Sequence, residues 1–332
     1  MAISFKGFIR GFFAAIVLFM MLSIPALAKT AEENFSLLNV KINGKMTVMA
    51  GETYIFHNGR YVACTTYHPD TSALPLSKGI GYDPFIKQIK NYPVTACNSK
   101  GKDSAGGIAL TFDDHYVISW YSARELFKKY GARVTFFVDK YLEFNANELN
   151  LLKELKNDGH EIAGHGLYHL DAPQFVKEKS IDAYISEEID SLIEVMAIDG
   201  FELTAFAYPG GARTKELYEA LLKKFRIIRG TVYTGNKTAL KNLDSAYYKP
   251  GNGNWLVFGV GIDGIYGNTV ESILEGLERA NRNGEVLVLY AHRIGESENE
   301  NSYIVSMDKL EMILRYATHT NMKFYTISEL AD

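Results

Sequence analysis

The stretch Ile108-Ala-Leu-Thr-Phe-Asp-Asp114 is an uninterrupted apolar and β-favouring run that ends in two adjacent carboxylates. Such a run is typical of a strand that is buried on both faces of a parallel sheet. A short amphipathic segment follows at residues 122–130 and ends at Gly131, and a second β-type run follows at residues 134–138. The sequence therefore predicts a strand–helix–strand unit that begins at Gly107.

The same alternation continues to the end of the chain. Further strands are predicted at residues 161–163, 204–208, 226–229, 255–260, 286–290 and 324–327. Further helices are predicted at residues 148–157, 180–198, 214–224, 269–283 and 306–318. Strands that alternate with helices of this length predict an α/β fold, a distorted (β/α) barrel of about seven to eight parallel strands. In such barrels the chemistry lies at the carboxyl ends of the strands.

The segment before the barrel has a different pattern. Residues 37–66 alternate apolar and polar side chains around Asn43-Gly44 and Asn58-Gly59. Because both residues of an Asn-Gly pair accept a positive φ, these pairs predict β-hairpins. We expect a small β-meander over residues 37–66 and a linker over residues 67–104. The domain organisation is thus an accessory segment at 29–104, which serves as a cover or a binding module, and a barrel at 105–332.

The first 28 residues have the pattern of a signal peptide. Lys6 and Arg10 precede an apolar run over residues 11–28, which closes on Ala26-Leu-Ala28. A basic head, an apolar run and small residues at the cut site favour cleavage after Ala28. The alternative is an uncleaved signal anchor. In either case the barrel lies outside the cytoplasm, secreted or in the periplasm or cell envelope, and after cleavage no membrane span remains.

The two cysteines agree with export. Cys64 and Cys97 are the only cysteines among 332 residues. In an oxidising compartment such a pair forms a disulfide, and two buried thiols are the alternative. A formal net charge of −4 argues against nucleic-acid binding, which normally requires a basic surface.

Polar clusters stand where the predicted strands end. They are Asp113-Asp114, His165 with His169, Tyr208-Pro209-Gly210-Gly211, and His292. Two histidines four positions apart, with a carboxylate from another strand, form a metal site with open positions. A metal in such a site lowers the pKa of its bound water and polarises a carbonyl. A second carboxylate can take the proton of the water, and a separate histidine can protonate a leaving amine. Taken singly, each cluster has a structural alternative: a helix cap, a chance His pair or a structural histidine.

These motifs resemble the polysaccharide deacetylases with a NodB homology domain, carbohydrate esterase family 4. Thr111-Phe112-Asp113-Asp114 resembles their first motif, and His165 with His169 resembles their second. The resemblance implies that Asp114, His165 and His169 bind a divalent metal, with zinc expected. It implies that Asp113 is the catalytic base and that His292 is the catalytic acid. It also implies hydrolysis of N-acetyl, less often O-acetyl, groups on a glycan.

The sequence departs from the family at several positions. Ala207-Tyr-Pro-Gly-Gly211 stands where the third motif of the family begins with an arginine that orients the base. Arg213, Arg229 and Arg293 are the candidates to substitute for it from another strand. Gly210 replaces a tyrosine but keeps the backbone N–H that would stabilise the oxyanion. Gly166 replaces a hydroxyl residue that braces the second motif. His115 replaces a glycine, and a solvated loop histidine is the favoured interpretation. Asp263 is a candidate partner for His292.

We expect an exported, metal-dependent deacetylase acting on an acetylated glycan such as a cell-wall polymer or an exopolysaccharide. The alternative is a glycan-binding protein that has lost efficient catalysis on the same fold, which the missing arginine would favour. An amidase of small molecules is a further alternative that the signal peptide disfavours. Among the aromatic side chains, Trp120, Tyr121 and Trp255 are candidates for sugar contact.

Overall fold

The computed structural model describes residues 37–42, 45–50, 54–56, 61–63, 67–68, 95–96, 106–234 and 238–332. The predicted signal peptide and the predicted Cys64–Cys97 bridge lie outside the described residues. The chain divides into two compact units, residues 1–99 and residues 100–332, and each is described by itself.

The first unit contains two small sheets. Its strands are β1 Leu37–Ile42, β2 Lys45–Ala50, β3 Tyr54–Phe56, β4 Tyr61–Ala63, β5 Tyr67–His68 and β6 Thr95–Ala96. Strands β1 and β2 pair antiparallel on either side of Asn43-Gly44, and β3 and β4 pair antiparallel on either side of the second Asn-Gly. The two expected hairpins are therefore present. They lie in different sheets rather than one meander, because β5 pairs with β2 and β6 pairs with β4. Both of these added strands fall in the segment expected to be a linker, and the accessory role of residues 29–104 stays a prediction.

The second unit contains a closed barrel. Its strands are β7 Gly107–Asp114, β8 Thr135–Val138, β9 Glu161–Gly164, β10 Ala205–Ala207, β11 Ile227–Val232, β12 Tyr247–Tyr248, β13 Leu256–Gly261, β14 Val286–Ala291, β15 Arg293–Gly295, β16 Ile304–Ser306 and β17 Lys323–Phe324. Seven of them form a parallel wall in the order β7-β8-β9-β10-β11-β13-β14, and β14 pairs with β7 to close it. At this closure the Thr111 hydroxyl donates to the carbonyl of Leu289 at 3.1 Å. The predicted α/β barrel of seven to eight strands is confirmed.

The eighth strand candidate does not lengthen the wall. Strand β17 has two residues, and they pair with the first two residues of β7. The chain then turns inward, where Ile327 donates its N–H to the Thr135 hydroxyl at 2.9 Å. It continues into a short 3-10 turn at Ser328–Leu330, so the last part of the predicted strand closes the amino end of the barrel instead.

Most of the helices lie close to their predicted positions, whereas those at Val117–Ser122 and Ala172–Glu178 were not predicted. The helices are α1 Val117–Ser122, α2 Arg124–Lys129, α3 Ala146–Asn157, α4 Ala172–Glu178, α5 Ile181–Tyr184, α6 Ser191–Ile198, α7 Lys215–Leu221, α8 Val270–Asn283 and α9 Met307–His319. Side-chain caps at Asn145, Thr269 and Ser306 fix three helix starts. The segment predicted as one helix over residues 180–198 widens into a π-helical turn at Ile185–Asp190, between α5 and α6. None of the described helices has the length and apolar character needed to cross a membrane.

The barrel interior is filled by a mixture of small and larger apolar side chains. A buried cluster combines four strand alanines with larger apolar residues: Ala109, Ala163, Ala205, Ala207, Phe137, Ile227, Val257, Val286, Val288, Ile327 and Leu330. The buried Arg229 guanidinium also packs against Phe137, one member of this cluster. The interior is therefore a packed core with a charged group among the apolar side chains.

Candidate active site

All of the predicted site residues lie at or just beyond the carboxyl ends of barrel strands. Asp113 and Asp114 end β7, His165 follows β9, Gly210 follows β10, and His292 follows β14. Since all these strands run parallel, their carboxyl ends meet at one face of the barrel. Side chains that are far apart in the sequence are therefore brought to the same end of the fold.

Asp114, His165 and His169 form a compact group. One candidate ligand atom from each residue lies within 4.8 Å of the others. The Oδ1 atom of Asp114 is 3.5 Å from Nε2 of His165 and 3.3 Å from Nε2 of His169. This oxygen is buried and has no hydrogen-bond partner among the described residues. Burial opposes ionisation of Asp114, but the two imidazoles outweigh it and hold the pKa of the carboxyl below its usual range.

The hydrogen bonds around His165 leave its Nε2 atom free for a ligand. Its Nδ1 atom is 2.9 Å from the carbonyl of Ala207, which can only accept, so Nδ1 carries the proton and Nε2 carries the lone pair. His165 is 2% exposed, whereas His169 is 36% exposed and lies at the solvent side of the group. One carboxylate, two imidazoles and an unpartnered buried oxygen are a donor set that fits a divalent cation such as zinc. The ligand roles and the identity of the metal stay predictions.

The backbone is in an unusual conformation at two of these residues. Asp114 has a φ of 81° and His169 has a φ of 60°. Non-glycine residues rarely adopt the left-handed region, and they do so most often where a site demands it. The conformation at Asp114 turns its side chain towards the histidines, while the preceding residue faces another way.

Asp113 faces the interior of the barrel. It is 3% exposed, and its Oδ2 accepts a hydrogen bond from Nη2 of the fully buried Arg229. The Arg229 guanidinium lies 5.1 Å from the ring centre of Phe137 and 5.0 Å from that of Tyr290. Two aromatic faces and one carboxylate thus fix this arginine in place.

Of the three arginines considered as substitutes for the missing one, Arg229 contacts Asp113. Arg213 instead donates to the carbonyl of Gly211 at 2.9 Å, and Arg293 is exposed. An arginine next to Asp113 is therefore supplied by strand β11, and its role as the substitute stays a prediction.

His292 is held by Asp263, which was only a candidate partner on sequence grounds. Nδ1 of His292 is 2.6 Å from Oδ2 of Asp263, and the backbone N–H of His292 donates to Oδ1 at 3.1 Å. The carbonyl of His292 accepts a hydrogen bond from the buried indole of Trp120 at 2.8 Å. Burial disfavours the imidazolium, but the hydrogen bond to Asp263 and nearby carboxylates outweigh it and raise the pKa of His292. The ring is thereby oriented with its Nε2 atom free.

The third-motif segment forms a tight turn after β10. Gly210 is exposed with a φ of 60°, which suits glycine. The neighbouring N–H groups of Gly211 and Ala212 donate to the carbonyls of Tyr208 and Pro209. Gly210 is thus presented at the surface of the same barrel face, and its role as an oxyanion donor stays a prediction.

His115 does not belong to the group of candidate ligands. Its Nδ1 atom is 2.8 Å from Oδ1 of Asp139, a carboxylate that is 1% exposed. This hydrogen bond raises the pKa of His115. Asp139 was not predicted from the sequence, although a carboxylate directly after an apolar strand, here β8, is the same signal that singled out Asp113 and Asp114.

The structure also shows a role for Glu188 that was not predicted and a position for Trp255 that differs from the expected one. The buried carboxylate of Glu188 binds the backbone of the loop that carries His165 and His169. The only sequence signal was indirect, since Gly166 leaves that loop without its usual brace. Trp255 is 62% exposed and precedes β13, so it lies at the amino end of the barrel and was wrong as a candidate for sugar contact.

Comparison with known proteins agrees with this description. The model of the polysaccharide deacetylase family matches residues 100–225. A gellan lyase from a Bacillus species is 29% identical over 155 residues, which is 45% of this chain and 6% of the lyase. This chain therefore corresponds to a small part of that relative.

Two solved structures are similar in fold. The carbohydrate esterase family 4 domain of a multidomain xylanase from the hindgut metagenome of Trinervitermes trinervoides has 19% identity and a TM-score of 0.44, over 68% of this chain and 89% of that chain. The peptidoglycan deacetylase PdaC from Bacillus subtilis has 18% identity and a TM-score of 0.45, over 69% of this chain and 92% of that chain. The matched stretch of the polysaccharide deacetylase family spans both motifs that carry the resemblance, at Thr111–Asp114 and at His165–His169.

Proposed function

We propose that this protein is an exported, metal-dependent deacetylase that removes N-acetyl, and less often O-acetyl, groups from a polysaccharide. The observation that carries the proposal is the pairing of each proposed proton-transfer group with its own buried partner beside the candidate metal ligands. Asp113 pairs with Arg229, and His292 pairs with Asp263. A protein that only bound glycans would need neither pair.

The residues that would hold the metal are Asp114, His165 and His169. When bound there, a divalent metal such as zinc would act as a Lewis acid on the acetyl carbonyl and would lower the pKa of a bound water. Its charge would also satisfy the buried Asp114 oxygen, for which the described part of the chain offers no hydrogen-bond partner. The carbonyl of Ala207 holds His165 in the tautomer that this role requires.

Asp113 is the proposed base. Its Oδ2 is occupied by Arg229, whereas its Oδ1 is buried and without a partner among the described residues. An oxygen in that state can accept a proton from the attacking water. The ion pair with Arg229 keeps the carboxylate in one orientation before and during proton transfer.

His292 is the proposed acid. Because its Nδ1 atom is bound to Asp263, its Nε2 atom is the one that can give a proton to the leaving amine nitrogen. The raised pKa keeps the ring protonated at higher pH than an ordinary histidine. The N–H of Gly210 is the proposed donor to the developing oxyanion.

The alternative, a catalytically inactive glycan-binding protein, rested on the missing third-motif arginine. The ion pair between Arg229 and Asp113 supports the enzyme instead.

The proposal is tested by acetate release from a panel of acetylated glycans, including oligomers of N-acetylglucosamine and O-acetylated exopolysaccharides. We expect release that stops with a chelator and returns with added zinc. Glycan binding without acetate release, in protein that retains zinc, would favour the binding-module alternative. Export is tested separately by N-terminal sequencing of the extracellular protein, which should begin at Lys29.

A further inference from the structure

The loop that carries both candidate histidine ligands is fastened by one buried side chain, Glu188. This residue is 0% exposed and lies in the π-helical turn at Ile185–Asp190. Its Oε2 accepts the N–H of Tyr168 at 2.9 Å, and its Oε1 accepts the N–H of Leu170 at 3.0 Å. Its backbone carbonyl also accepts the N–H of Leu167 at 3.3 Å. Three backbone groups of the loop are therefore held by one residue of a separate helix.

The two side-chain contacts lie on either side of His169. The N–H groups of the residues before and after His169 both donate to the same carboxylate, so the two bonds restrain the backbone at His169 from both sides. His169 has a φ of 60°, a conformation that an unsupported histidine rarely keeps. Glu188 thus supplies the interaction that maintains the backbone conformation of this residue.

The glycine at position 166 is explained by the same carboxylate. A Cβ atom on Gly166 would lie 2.4 Å from Oε1 of Glu188 and 3.2 Å from its Cδ. Gly166 also has a φ of 89°, which disfavours any side chain. A hydroxyl residue at position 166 and a glutamate at position 188 would therefore compete for the same space.

We propose that Glu188 is a positioning residue of the metal site, which fixes His169 through the loop backbone and requires glycine at position 166. The inference rests on the proposed function in that His169 is taken as a metal ligand. Widened π-helical turns occur frequently at functional sites, and here the turn contains the residue that binds the loop.

The direct test is zinc affinity, measured by competition with a chromophoric chelator. Glu188→Ala should weaken zinc binding by about tenfold to a hundredfold, the usual loss when a group that orients a ligand is removed. The matched control is Glu187→Ala, because Glu187 is the adjacent carboxylate and forms only a surface ion pair with Lys179. The control should keep the wild-type affinity. Glu188→Gln has one amide oxygen in place of two acceptors and should fall between the two, which provides the measurement if the alanine variant does not fold.

A double-mutant cycle tests the exclusion between the two positions. Gly166→Ser should weaken zinc binding in the wild-type background. It should weaken zinc binding less in the Glu188→Ala background, because the clash with the Glu188 carboxylate is absent there, while the unfavourable φ at position 166 is common to both backgrounds. An equal loss of zinc affinity in the two backgrounds would contradict the inference that Glu188 excludes a side chain at position 166. Wild-type zinc affinity in folded Glu188→Ala protein would overturn the positioning role itself.

Amide hydrogen exchange separates this inference from the proposed function. In metal-free protein, the N–H groups of Tyr168 and Leu170 should exchange faster in Glu188→Ala than in wild type, while the N–H of Leu152 in α3 should not change. If wild-type protein binds no zinc, the proposed function fails, and the exchange measurement still decides whether Glu188 holds the loop. Unchanged exchange at Tyr168 and Leu170 would refute the inference that Glu188 holds the loop.

Discussion

Arg229 and Asp113 lie 116 positions apart in the sequence and form an ion pair inside the barrel. Both side chains are almost completely shielded from water. A buried carboxylate needs such a partner, because an isolated charge is costly in the protein interior. The pair therefore serves the fold and the proposed chemistry together.

Replacing Arg229 by methionine should affect both. We expect the free energy of unfolding to fall by about 3–5 kcal/mol, the usual cost of leaving one member of a buried ion pair unpaired. We expect kcat to fall as well, because Asp113 loses the group that orients it. Urea denaturation and acetate-release kinetics measure the two effects. Arg293→Met is the control, since Arg293 is exposed and should change stability by no more than about 0.5 kcal/mol. Equal stability of the two variants would contradict the structural role of the pair.

The two adjacent aspartates should respond differently to the same substitution. Asp113→Asn should keep the metal and lose about 10²–10⁴ in kcat, the usual contribution of a general base. Asp114→Asn should lose metal affinity first, and added zinc should restore part of its activity, because a ligand contributes in the resting state. Metal analysis beside acetate-release kinetics separates the two. Equal loss of metal in both variants would mean that the base is another residue, and His115 would be the next candidate.

The carboxylate of Asp263 should set the alkaline limit of activity. Burial by itself lowers the pKa of His292, and the hydrogen bond to Asp263 helps to reverse that effect. In Asp263→Asn the burial remains and the compensating charge is gone, so the pKa falls and the imidazolium is lost at lower pH. The alkaline limb of kcat/KM against pH should move to lower pH. Asp139→Asn, which removes the partner of His115 instead, should leave that limb in place. If the alkaline limb shifted only in Asp139→Asn, His115 rather than His292 would be the acid.

Buried His160 should make the fold sensitive to acid. It is 5% exposed, its Nδ1 accepts the N–H of Val134, and burial lowers its pKa to about 4. Between the unfolded value of 6.5 and the folded value of about 4, the unfolded chain takes up a proton that the folded chain does not. The free energy of unfolding should therefore fall by about 3 kcal/mol as the pH falls through this window.

The variant His160→Asn keeps an acceptor and cannot titrate, so it should lose less stability than wild type between pH 7 and pH 4. Urea denaturation at several pH values in the presence of a chelator measures the free energy of unfolding of both proteins against pH, without a contribution from metal binding. Parallel curves for wild type and His160→Asn would exclude His160 as the origin of the acid sensitivity.

The barrel could be predicted because its strands are buried on both faces. Each strand then appears in the sequence as a short apolar run, and a polar residue directly after such a run lies at the carboxyl end of the sheet. This reasoning located Asp113, Asp114, His165 and His292 at one face. Applied to Asp139, it would have found that residue too.

The partners of these residues could not be predicted in the same way. Arg213, Arg229 and Arg293 carry the same charge near predicted strand ends, and only the position of Arg229 inside the barrel decides among them. Glu187 and Glu188 are chemically identical neighbours in an amphipathic segment. The hydrogen bonds that single out Glu188 are made by a loop that precedes it in the chain and carries no matching sequence pattern.

Strand β14, the last strand of the parallel wall in the sequence, pairs with β7, the first, so the barrel closes only when the two ends of its sequence meet. The proposed metal ligands, Glu188 and the Ala207 carbonyl all belong to the segment from β7 to β10, whereas Arg229, Asp263 and His292 come later. Contacts between sequence-distant strands form slowly, because a long loop must first be closed. We therefore expect the segment from β7 to β10 to bring the proposed ligands together before the proposed proton-transfer groups dock.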